Sequence, residues 1–119
     1  MAKILIVDDE PGLRLLYSEE LADEGYEVVT AANCTEAAKL LERCDIDLVV
    51  LDIQIKQESG LEMLQKIVKE HKELPVILCS AYNCYKDDFS SWLADAYIVK
   101  SSDLSELKQE ISRQLKRRA

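Results

Sequence analysis

Short strand-like runs alternate along the chain with longer stretches in which apolar residues recur every three or four positions. The runs are Lys3–Asp8, Tyr26–Thr30, Leu48–Leu51, Val76–Cys79 and Ala96–Val99. Ile4 to Val7 and Leu48 to Leu51 show no polar alternation, so these strands are expected to be buried on both faces, as in a parallel sheet covered by crossover helices. The first helix opens at Pro11, displays Leu13, Leu16, Tyr17 and Leu21, and stops at Gly25. Asn33 or Thr35 caps a second helix that shows Ala37, Leu40 and Leu41 to the core and ends near Cys44. Gly60 opens a third, with Leu61, Leu64, Ile67 and Val68 facing inward. A short fourth is expected within Ala81–Leu93, where Phe89, Trp92 and Leu93 mark the inner side. Leu104, Leu107, Ile111 and Leu115 give the last helix its apolar stripe. Strands alternating with helices predict an α/β, doubly wound, five-stranded parallel sheet with five helices, in one domain over residues 1–119.

Composition narrows the setting. At 119 residues and 48% hydrophobic content the chain can bury one substantial core. No apolar run approaches the roughly 20 residues that a helix needs to cross a bilayer, and Met1-Ala2-Lys3 leads straight into the first strand. A non-exported, cytoplasmic protein with no membrane role is expected. Cys34, Cys44, Cys79 and Cys84 form no C-x-x-C pair and are read as structural or incidental thiols, which fits a reducing compartment. A formal charge of −8 argues against direct nucleic-acid binding, and the basic end Lys116-Arg117-Arg118 complements the dipole of the last helix. His71 lies among Lys69, Glu70, Lys72 and Glu73 and is expected to be a solvated surface residue.

Candidate chemistry gathers at one edge of the predicted sheet. Open α/β sheets bind ligands outside the carboxyl ends of their strands. Asp8 and Asp9 end the first strand, Asp52 follows the third, Ser80 the fourth and Lys100 the fifth, so five residues far apart in sequence should share one cleft. Two carboxylates about 4 Å apart repel by roughly 4 kcal/mol at an effective dielectric near 20, so the acids call for a cation. Mg2+ suits hard oxygen donors shared with a phosphoryl group, and Lys100 can supply further positive charge. An aspartate in such a site can attack phosphorus, which makes Asp52 the candidate nucleophile. The Ser80 hydroxyl can hydrogen-bond a phosphoryl oxygen and draw its loop inward.

Taken together, Asp8-Asp9, Asp52, Gly60 eight residues later, Ser80-Ala81, Tyr97 and Lys100 resemble the receiver domains of bacterial response regulators, from Lys3 to about Leu115. The resemblance implies the strand order 2-1-3-4-5. It also implies Mg2+ held by the side chains of Asp9 and Asp52, by Asp8 through water and by the Gln54 backbone carbonyl. Asp52 would be the phosphoacceptor, Lys100 and Ser80 would contact the phosphoryl group, and Ser80 and Tyr97 would form the switch. The donor would be a sensor histidine kinase or a phosphotransfer protein. The output would be a downstream effector protein met through the fourth-helix and fifth-strand face. Such a chain is a signalling phosphoacceptor, not an enzyme acting on external substrates.

Two positions depart from the family pattern. Lys56 stands where proline is usual, and Ser101 follows Lys100 where a cis-proline is usual. These motivate an alternative, a constitutive receiver-like interaction module without regulated phosphorylation. A flavodoxin-like redox protein is excluded because Asp8-Asp9-Glu10 would repel a flavin phosphate. A phosphatase of the aspartyl-nucleophile type would carry an acid where Gln54 stands. No output domain follows the final helix, so the chain is expected either to act through protein contacts or to be part of a longer protein.

Overall fold

A computed structural model describes residues 1–55, 58–80, 94–100 and 103–118. The strands are β1 (Lys3–Val7), β2 (Glu27–Ala31), β3 (Leu48–Asp52), β4 (Val76–Ser80) and β5 (Ala96–Val99). The helices are α1 (Pro11–Asp23), α2 (Cys34–Arg43), α3 (Gly60–Glu70) and α4 (Ser105–Arg118). All five strands pair in parallel in the order β2-β1-β3-β4-β5. Four helices are present among the described residues. The helix expected within 81–93, together with Lys56, Cys84 and Ser101, lies outside them.

Side-chain alternation along the strands divides the core into two layers. Leu5, Val7, Val49, Leu51, Val76 and Leu78 point to one face and pack with Ala37 of α2 and Met63, Leu64 and Ile67 of α3. Ile4, Ile6, Leu48, Val50, Ile77 and Cys79 point to the other and pack with Tyr17 and Leu21 of α1 and Leu107 and Ile111 of α4. The unbroken apolar runs therefore have a simple cause: both faces of β1, β3 and β4 are covered.

Local signals set most boundaries. α1 ends with Gly25 at φ +94°, while the Gly25 and Tyr26 amides donate to the carbonyls of Ala22 (3.0 Å) and Leu21 (3.3 Å), a Schellman closure. Because Tyr26 is used in that closure, β2 starts one residue later than its apolar pattern suggests. Asn33 is the N-cap of α2, its side-chain oxygen accepting from the Glu36 amide at 2.9 Å.

Leu16 departs from expectation: it is 39% exposed and its neighbour Leu15 is 61% exposed. At about 100° per residue, Leu13 and Leu21 lie within about 40° of Tyr17 on the helix surface, whereas Leu16 lies about 100° away. Met63, by contrast, is buried on α3 although its position was not singled out. Beyond β3, Gln54–Ile55 and Glu58–Ser59 form a two-residue antiparallel ladder that carries the chain from the sheet edge into α3.

Candidate functional site

The carboxyl edge of the sheet brings the predicted polar residues together. Asp52 and Ser80 are the last residues of β3 and β4, not residues beyond them, because Cys79 pairs with Asp52 and Val99 with Ser80. Both are buried, as is Asp8. Carboxylate oxygens of Asp8, Asp9 and Asp52 all lie within 4.8 Å of one another.

Lys100 reaches into this cluster from the end of β5. Its Nζ donates to Asp8 Oδ2 at 2.9 Å and to Asp52 Oδ2 at 3.1 Å, with its side chain only 14% exposed. Its backbone amide donates to the Ser80 carbonyl at 2.6 Å, which ties the base of the side chain to β4. Burial works against the ammonium charge. The hydrogen bond to Asp8 and the negative charges of Asp52 and Asp8 outweigh it, and the ammonium is held above its ordinary range.

One ammonium against three carboxylates leaves the cluster with two formal negative charges. The donors are all hard oxygens, mounted at or just beyond the ends of buried strands, so the residues fit a small divalent cation such as Mg2+. Gln54, two residues after Asp52, begins the short ladder. Gly60 packs directly on the end of β3. Its amide donates to the Ile53 carbonyl at 2.7 Å, and a side chain there would meet the Asp52 carbonyl and the Ile53 backbone.

The family model of the response regulator receiver domain matches residues 4–112. The chain belongs to that family. The receiver is similar to response regulator protein TrrA from Thermotoga maritima, solved in complex with Mg2+-BeF. That likeness has 47% identity and a TM-score of 0.92, over 96% of this chain and 99% of the other. It is similar as well to a crystal structure of histidine kinase ThkA in complex with TrrA, at 48% identity and a TM-score of 0.91, over 97% of this chain and 99% of the other. Transcriptional regulatory protein GlrR from Escherichia coli K12 is 32% identical over 99% of this chain but only 27% of its own length. The chain spans about half or less of such curated relatives.

Tyr97 of the receiver is half-buried on the α2–α3 side of the sheet, three residues before Lys100. His71 is half-buried just after α3, its amide donating to the Ile67 carbonyl, and is therefore less solvated than its charged neighbours suggested.

Three neighbours of the site were not foreseen. Arg14 donates from Nη1 to the Asp8 carbonyl at 2.7 Å. Tyr17 and Cys79 line, with Ile98 and Lys100, a cavity of about 110 Å³. The signal for Arg14 was its place one turn into a helix that starts right after the acid pair. Tyr17 and Cys79 read only as core.

Burial pushes the Cys79 thiol up to about 12, against the pull of Lys100 and with added push from Asp52 and Asp8. A raised value means that the folded state holds the proton more tightly than the unfolded chain. Its contribution to stability is complete below pH 9, the ordinary value, and is lost as pH rises towards 12. Cys79→Val, close in volume but without an ionisable proton, is expected to flatten the fall in stability between those two values. Urea melts at stepped pH would show it, and curves of equal slope for both proteins would exclude the effect. Part of the fall should survive the substitution, because the Tyr17 phenol is also pushed up to about 12, chiefly by burial, and only the smaller push from Cys79 is removed with the thiol.

Proposed function

We propose that this receiver, over residues 1–119, is the phosphoacceptor of a two-component phosphorelay, with Asp52 taking the phosphoryl group from the phosphohistidine of a sensor histidine kinase or phosphotransfer protein. The observation that carries the reading is the Lys100 ammonium bridging Asp8 and Asp52 inside a cluster that keeps a net negative charge. A carboxylate oxygen of Asp52 attacks phosphorus, the P–N bond breaks, and its electron pair returns to the imidazole nitrogen. The product is a mixed anhydride on Asp52, which water later cleaves at phosphorus to restore the carboxylate.

Lys100 is aimed at Asp52 before any donor arrives, so it can donate to a phosphoryl oxygen as charge builds there. Ser80, at the end of the adjacent strand, donates its hydroxyl proton to a second oxygen. Asp9 and Asp52 would hold Mg2+ by their side chains, Asp8 through water and Gln54 through its backbone carbonyl. When bound, the cation offsets charge on the phosphoryl oxygens. The beryllium fluoride in the TrrA complex stands in chemically for a tetrahedral phosphoryl group, and the ThkA complex pairs a similar receiver with a kinase; both support the reading. Capture of the phosphoryl oxygen by Ser80, with repacking of Tyr97, would switch the surface offered to an effector protein. The chain would catalyse only its own phosphorylation and dephosphorylation, in the cytoplasm, without contacting nucleic acid or membrane. Among the described residues no helix is long and apolar enough to cross a membrane.

Intact-mass analysis after incubation with a small-molecule phosphodonor tests this. The wild type is expected to gain one phosphoryl group in Mg2+ and none in chelator, and Asp52→Asn to stay unlabelled. A wild type that gains nothing in Mg2+, or an asparagine variant labelled as fully, would overturn the proposal.

A further inference from the structure

Every polar atom of Asp8 is engaged. Its amide donates to the Ala31 carbonyl at 3.1 Å, Oδ1 accepts from the Glu10 amide at 2.9 Å, and Oδ2 accepts from Lys100 Nζ at 2.9 Å. Its carbonyl oxygen accepts from Arg14 Nη1 at 2.7 Å. The Asp8 carboxylate is thus fixed by two bonds in which Arg14 has no part. Arg14 acts instead on the carbonyl, and that carbonyl belongs to the peptide joining Asp8 to Asp9. The six atoms of a peptide are coplanar, so holding its oxygen sets the tilt of the whole plane and the direction in which the next Cα carries its side chain. Asp9 is the carboxylate this bears on directly, and it is less buried than Asp8 or Asp52.

Arg14 is well mounted for this role. Its amide donates to the Glu10 carbonyl at 3.1 Å and its own carbonyl accepts from Ser18 Oγ at 2.6 Å, so its backbone sits in regular helix while the side chain reaches back to the strand end. Guanidinium is planar and permanently charged, so the bond it gives a carbonyl has a defined direction.

We propose that Arg14 is a positioning residue for the cation site: by holding the Asp8–Asp9 peptide it aims the Asp9 carboxylate into the cluster shared with Asp52. This rests on reading that cluster as the Mg2+ site. The charge of Arg14 has the opposite effect, since a cation beside three carboxylates repels a second cation. Mg2+ affinity therefore separates the two roles by sign. If charge alone matters, removing Arg14 tightens Mg2+ binding; if aim matters, removing it weakens binding.

The test is calorimetric titration of Mg2+ into the protein without phosphodonor, for wild type, Arg14→Ala, Arg14→Lys, Asp9→Asn and the Arg14→Ala/Asp9→Asn pair. Loss of an outer-shell partner commonly costs a metal site tenfold or more, so Arg14→Ala is expected to bind about tenfold more weakly. Arg14→Lys keeps a donor and the charge and should fall between. In the Asp9→Asn background Arg14→Ala should no longer weaken binding, leaving it equal or tighter through the charge effect alone, because the carboxylate it aims is gone, whereas general loosening would weaken binding with or without Asp9. Should Arg14→Ala fail to fold, Arg14→Lys decides: weaker binding supports the role and unchanged binding refutes it. A wild type that does not bind Mg2+ overturns the Mg2+ reading and this role with it. A wild type that binds, with Arg14→Ala binding equally or more tightly, overturns the role of Arg14 alone.

Discussion

Lys100→Met is expected to destabilise the receiver by about 3 kcal/mol in Mg2+-free buffer, as is usual when one member of a buried ion pair is removed. The loss does not measure the worth of the salt bridge. It arises because Asp8 and Asp52, both buried, are left facing each other without their shared ammonium. Two consequences have opposite signs. In the proposed reaction, phosphoryl transfer to Asp52 should slow sharply, since the ammonium that would meet the phosphoryl oxygen is gone. Mg2+ should bind more tightly than to the wild type, because the ammonium no longer competes for Asp52. At a Mg2+ concentration about a hundred times its dissociation constant the cation contributes about 2.7 kcal/mol, so saturating Mg2+ should return most of the lost stability. Denaturant melts with and without Mg2+ would decide. The account fails if the variant is as stable as wild type without Mg2+, or if Mg2+ stabilises both proteins equally.

Gly60→Ala is the second large effect. A Cβ on Gly60 would overlap the Asp52 carbonyl oxygen and lie 2.7 Å from Ile53 Cα and 2.8 Å from the Ile53 carbonyl oxygen. All three are backbone atoms, so no side chain can rotate away. The hydrogen bond from the Gly60 amide to the Ile53 carbonyl pins the two segments together, and relief requires α3 and the end of β3 to separate. Overpacking of this kind costs about 1–3 kcal/mol, with the upper end expected where only backbone can yield. The shift also moves Asp52, so phosphorylation should slow more than the loss of stability alone explains. Rates measured well below the melting range separate the two effects. Wild-type stability in Gly60→Ala would show that the helix has room to move.

Much of this architecture was legible because its causes are local. Unbroken apolar runs follow from a sheet covered on both faces, and Gly25 and Asn33 mark helix ends by chemistry that acts within a few residues. The site was legible because five strand ends in a parallel sheet meet at one edge, so strand-terminal acids, serine and lysine converge wherever the order permits. Leu16 faces outward on α1, since apolar character does not reveal which side of a helix meets the sheet. An angular difference of one residue left it at the surface.

Period, capping and chain order are enough to set the kind of fold, the edge at which chemistry gathers and the residue types that gather there. That Lys100 bridges Asp8 and Asp52, that Gly60 lies against the Asp52 backbone and that Arg14 grips the Asp8 carbonyl emerges only once the chain is folded. One cause underlies all three. These contacts join groups six to ninety-two residues apart and depend on distances of an ångström or less in strand register and helix placement, which no pattern of neighbours along the chain encodes.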